Sequence, residues 1–75
     1  MEWVKVTYPI DCAVFVDKRK RSSGRTNRKF SVGEGTHRFQ LDDPDCEPAS
    51  VEYTVVGTSE FRPLVIDDFH QTDAT

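Results

Sequence analysis

Phe30-Ser31-Val32-Gly33-Glu34-Gly35-Thr36-His37-Arg38-Phe39-Gln40-Leu41 alternates apolar and polar residues on both sides of a Gly-Glu-Gly step. Phe30 and Val32 share one face, and His37, Phe39 and Leu41 share a face opposite Thr36, Arg38 and Gln40. A repeat of two is the signature of a half-buried strand, because successive side chains of a strand point to opposite faces. Gly33 and Gly35 are free to take positive φ, so the stretch predicts a β-hairpin turning at 33–35.

The same period extends outward in both directions. Toward the C-terminus, Asp42 to Pro48 holds two prolines and four acids and predicts a surface crossing. Ser50 to Val56 then puts Val51, Tyr53 and Val55 on one face, and Gly57 to Glu60 reads as a turn. Phe61 to Ile66 is a strand interrupted by Pro63, which suits a sheet edge. Residues 67–75 are polar and predict a frayed tail. Toward the N-terminus, Trp3 to Tyr8 stops at Pro9, and Cys12 to Val16 reads as a strand covered on both faces. Between them and the hairpin, Lys18 to Asn27 is polar, basic and broken by Ser22, Ser23 and Gly24, so it predicts a long exposed loop. Together these segments predict an all-β fold, a small antiparallel β-sandwich or partly open barrel of about six to seven strands, in one domain over residues 1–66.

At this point the order of motifs resembles the PEGA domain family, small β-sandwich modules of bacterial and archaeal proteins, over about residues 9–66. Pro9, then Ala13, Val14, Val16 and Asp17, is similar to the family's proline, small residue, strand and terminal aspartate. Gly24, Arg25, Thr26 resembles its Gly-x-Thr, and Val32 to Phe39 its glycine-turn hairpin with a histidine two past the glycine. Pro44, Asp45, Cys46, Glu47, Pro48 resembles its Pro-Gly-Tyr-Glu-Pro. The chain departs from the family at Cys12 and Lys18, where glycine is usual, at Asn27 in place of proline, and at Asp45 and Cys46 in place of Gly-Tyr. Its loop after Asp17 is also longer and more basic. The resemblance implies a non-catalytic module that forms one part of a larger surface, envelope or signalling protein.

Size and composition narrow the classes further. With 75 residues, 36% of them hydrophobic, the chain has room for one core and buries only about 60% of its unfolded surface. It contains neither an apolar run near the ~20 residues of a membrane span nor a signal-peptide stretch after Met1, so it reads as soluble and cytoplasmic. In that compartment Cys12 and Cys46 are expected as free thiols, a single disulfide being the alternative for an exported parent, and Cys46, placed in a loop, is expected to be the more accessible.

Charge is unevenly distributed within a net −3. Lys18, Arg19, Lys20, Arg21, Arg25, Arg28 and Lys29 lie together with no acid among them, a +7 segment, whereas the rest sets thirteen acids against Lys5, Arg38 and Arg62. These seven residues are the candidate binding site. The plain reading of the run is a lysine-rich connection that keeps a sheet edge from pairing with other chains; as a binding site, the expected partner is a protein, met through an acidic surface at this loop or at a sheet edge. The alternative is a polyanion, either nucleic acid or anionic lipid. No aromatic interleaves the cations, so any nucleic-acid contact would be electrostatic and indifferent to sequence.

Catalytic and metal chemistry find little support in the residues. His37 is in phase with Phe39 and Leu41, which predicts a structural histidine rather than a general base, and His70 falls in the polar tail. Cys12, Cys46, His37 and His70 lack zinc-ligand spacing. Asp43, Asp45 and Glu47 alternate like the first ligands of a calcium loop, but Pro48 and Thr54 stand where such a loop needs glycine and glutamate. No serine or threonine sits in a context that activates a hydroxyl. The chain is thus expected to be a binding module, not an enzyme, with no cofactor and no metal.

Overall fold

The computed structural model describes residues 1–17 and 24–72. Among them are nine strands: β1 Glu2–Val6, β2 Ala13–Val16, β3 Gly24–Arg25, β4 Lys29–Val32, β5 Gly35–Leu41, β6 Cys46–Glu47, β7 Ser50–Val55, β8 Leu64–Ile66 and β9 His70–Gln71. There is no helix among the described residues, so the all-β reading holds. The strands form three sheets, ordered β4-β1-β8, β3-β2-β5-β7 and β6-β9. All pairings are antiparallel except β1 with β8, where Val4, Lys5 and Val6 lie beside Leu64, Val65 and Ile66 in parallel.

Alternation on each strand feeds one core. Val4, Val6, Phe30 and Ile66 of the three-stranded sheet meet Val14, Val16, Phe39, Leu41 and Val55 of the four-stranded sheet, and Tyr8, Cys12, Cys46 and Phe69 complete the cluster. Val4, Val6, Val14, Phe39, Val55 and Ile66 are completely buried, each worth about 1.5–3 kcal/mol relative to exposure. The short β8 lies at a sheet edge, as Pro63 just before it predicts.

The hairpin expected at 33–35 does not form. β4 pairs with β1, and β5 pairs with β2 and β7, so Gly33 and Glu34 carry the chain from one sheet to the other. Gly35 has φ 129°, a backbone state open to glycine. A glycine pair signals that the chain turns, but partner choice is decided by which apolar faces meet in the core.

Three further expectations are corrected. Lys18 to Asn27 is not one long loop, since Gly24–Arg25 pairs with Ala13 and Val14 and Thr26 is buried. Asp42 to Pro48 contains β6, with Cys46 buried. Residues 67–72 are not a tail: Phe69 is buried, β9 pairs with β6, and Thr72 donates to the Asp45 carbonyl from both its backbone nitrogen (2.6 Å) and its Oγ1 (3.0 Å). A single aromatic in a polar stretch carries no periodicity from which burial could be read.

Candidate functional site

Residues 18–23 lie outside the described residues, and the chain on either side of them is well bonded. β2 ends at Val16, and Asp17 directly after it has a φ of 57° that turns the chain out of the sheet. Its backbone nitrogen donates to the Arg38 carbonyl at 2.8 Å. Its carboxylate takes the Arg38 N–H on Oδ1 at 3.0 Å and meets His37 Nδ1 on Oδ2 at 2.6 Å. His37 Nε2 lies 2.6 Å from the Gly33 carbonyl oxygen. A carboxylate and a carbonyl both accept, so the imidazolium form of His37 satisfies both contacts at once. His37 therefore ties the sheet-to-sheet crossing to the end of β2, and both its nitrogens are committed to that work.

The chain returns at Gly24, opposite Val14. A Cβ at Gly24 would stand 2.5 Å from the Phe30 ring, so only glycine lets β3 lie against that side chain. Next, Thr26 is buried, with Oγ1 accepting from Cys12 N (3.0 Å) and donating to the Ile10 carbonyl (2.7 Å). Asn27 takes φ 64° and clamps Tyr8 from both sides, its Oδ1 accepting from Tyr8 N at 3.1 Å and its Nδ2 donating to Tyr8 O at 2.7 Å. Asparagine tolerates this left-handed state better than most residues.

The seven candidate cations are thereby divided. Lys18, Arg19, Lys20 and Arg21 lie outside the described residues. Arg25 Nε is paired with Asp11 at 3.0 Å on the surface, a contact worth at most about 1 kcal/mol. Arg28 is exposed on the turn after Asn27, and Lys29, on the other sheet, donates to the Glu60 carbonyl at 3.0 Å. The described members thus span a corner between two sheets rather than one loop.

A cavity of about 370 Å³ is lined by Met1, Val16, Asp17, Ser31, Val32, Gly33 and His37. Elsewhere, the Tyr8 hydroxyl donates to Asp43 Oδ2 at 2.7 Å, and burial with that bond pushes the phenol well above its usual range. Burial likewise raises the thiols of Cys12 and Cys46, both free and buried, so Cys46 is not the accessible thiol of a loop. Among the described residues no group of three or more His, Cys, Asp or Glu is placed to hold a metal ion, and no helix is long and apolar enough to cross a membrane.

One exposed feature escaped the sequence. Phe61, read as the start of a strand, is 90% exposed at the tip of a tight turn closed by reciprocal backbone bonds between Ser59 and Arg62. The run Gly57-Thr58-Ser59-Glu60 marks the turn but gives no sign that it extends through Phe61. The chain matches no protein-family model, no curated protein and no solved structure.

Proposed function

We propose that this chain is a non-catalytic interaction module whose contact surface is the basic segment 18–29, meeting an acidic protein surface. The observation that carries the reading is the concentration of seven cations, with no acid among them, in a segment whose two ends are fastened to the core. Asp17 is hydrogen-bonded to β5 and Gly24 is paired with Val14, one on each side of Lys18, Arg19, Lys20 and Arg21 in the sequence, while Arg28 and Lys29 stand exposed beyond. On a body that is otherwise strongly acidic, this is where a negative surface can approach favourably. The resemblance to PEGA domains supports a module of this kind, and the engagement of both His37 nitrogens in structural contacts supports binding over acid–base chemistry.

The test compares wild type with a variant in which Lys18, Arg19, Lys20 and Arg21 are all serine. A fluorescent poly-glutamate peptide is titrated at low salt, with an oligonucleotide and anionic vesicles in parallel. The peptide is expected to bind wild type and to lose at least tenfold in affinity with the variant, whose thermal stability stays close to wild type because exposed charges contribute little to folding. Equal peptide binding by both proteins, or binding to the oligonucleotide or vesicles alone, would overturn the proposal.

A further inference from the structure

We infer that the outer edge of β7 is a self-association surface, along which two copies of the chain pair β7 against β7, antiparallel, about a two-fold axis at Tyr53. This surface is separate from the basic segment and does not depend on its role.

Backbone direction carries the argument. Asp17 N donates to Arg38 O at 2.8 Å and Asp42 N to Ala13 O at 2.9 Å, so even-numbered residues along β5 direct their peptide groups toward β2. The odd-numbered residues Gly35, His37 and Phe39 then direct theirs toward β7, where their register partners are Val55, Tyr53 and Val51. Peptide groups alternate sides along a strand. Ser50, Glu52 and Thr54 therefore aim their N–H and C=O groups away from the sheet. Among the described residues, no backbone hydrogen bond outside the ladders involves 50–55.

β7 is also the longest edge of the fold. Its six residues exceed β4 with four, β8 with three and β3 with two. It pairs with β5 in an unbroken register without a bulge, and of the usual protections of a free edge it has neither proline nor lysine, its one charge being Glu52. Val56, directly after it, is 59% exposed.

The sequence of the edge fits its own copy. With Tyr53 facing Tyr53 of the second copy, Glu52 lies opposite Thr54, Val51 opposite Val55, and Ser50 opposite the exposed Val56. No like charges are opposed, and the outward peptide groups of Glu52 and Thr54 fall in register. An axis at Glu52 would oppose two carboxylates, and one at Thr54 would carry Ser50 past the strand end. Pairing uses the same edge on both copies, so assembly closes at two, giving one eight-stranded sheet.

The test is mass in solution, by sedimentation or light scattering, from about 10 µM to 1 mM. Wild type is expected to reach dimer mass, and Thr54→Pro, which removes an N–H that β5 does not use, to remain at monomer mass with an unchanged β spectrum. Because Thr54→Pro could perturb the strand, Tyr53→Cys supplies an independent measurement. On oxidation with diamide it is expected to form a disulfide-linked dimer, whereas Val56→Cys, opposite Ser50, is not. Wild type at monomer mass throughout, a folded Thr54→Pro that still dimerises, or linking through Val56→Cys but not Tyr53→Cys would each overturn the inference.

Discussion

Gly24 and Phe30 belong to different sheets yet approach so closely that a Cβ on the glycine would stand 2.5 Å from the aromatic ring. Gly24→Ala is therefore expected to destabilise the fold by about 1–3 kcal/mol through overpacking, since Gly24 has no positive φ to lose. Trimming the ring should relieve the clash, so Gly24→Ala combined with Phe30→Leu should cost less than the sum of the two single changes in urea unfolding. Strict additivity would place the strain elsewhere.

Asn27 combines a left-handed backbone with a two-sided clamp on Tyr8. Asn27→Ala loses both bonds and adds backbone strain, for an expected loss of about 2–3 kcal/mol. Asn27→Gly keeps the backbone easy and loses only the clamp, so its melting temperature should fall between those of wild type and the alanine variant. If glycine and alanine are equal, the backbone state contributes nothing.

Phe69 measures how far the fold extends beyond Ile66. It is 4% exposed, and Phe69→Ala is expected to cost about 3–5 kcal/mol, a large share of the stability of a domain this small. Removing residues 67–75 also takes away the strand partner of Cys46. That thiol should then react with a maleimide much faster than Cys12, whereas in the intact protein both should react slowly. Equally slow thiols after truncation would show that β9 does not shield Cys46.

Glu2 carries an acid-side dependence. Thr58 donates to Glu2 Oε1 from both its backbone nitrogen (2.8 Å) and its hydroxyl (2.7 Å), while the same hydroxyl accepts from Trp3 N at 2.8 Å. The backbone bond first, then the hydroxyl bond, holds the carboxyl below its ordinary value. A carboxyl depressed in the folded state stabilises it fully above the unfolded value and loses that contribution as pH falls through the folded one. The stability gap between wild type and Glu2→Gln should therefore be constant near neutrality and close as the solution is acidified below the ordinary carboxylate range. A gap independent of pH would exclude the charge as its source.

The strands with alternating faces were legible because burial writes itself as period two: Val4 and Val6, Val14 and Val16, Phe39 and Leu41 all point inward as their spacing implies. β3, β6 and β9 have only two residues each, too few for a period, and exist because neighbours bring them a partner. The corner at Gly33 to Gly35 shows the same limit. Its residues specify a bend, and the sheet each arm joins is set by residues far along the chain. At the candidate site, the cations were visible as a charge run. The pairing of Arg25 with Asp11, fourteen residues away, and the move of Lys29 to the opposite sheet were not, because neither leaves a local mark.

The parallel pairing of β1 with β8 has a consequence for biosynthesis. Val4 finds its partner at Leu64, sixty residues later, so during synthesis the earlier strand of this pair must wait for the whole intervening segment before its sheet can close. Until then only β4 can shelter one side of it, and loop closure over such a distance slows folding. During translation the chain therefore carries an open strand bearing Val4 and Val6, and its escape from misassembly depends on how quickly the segment through Ile66 clears the exit tunnel.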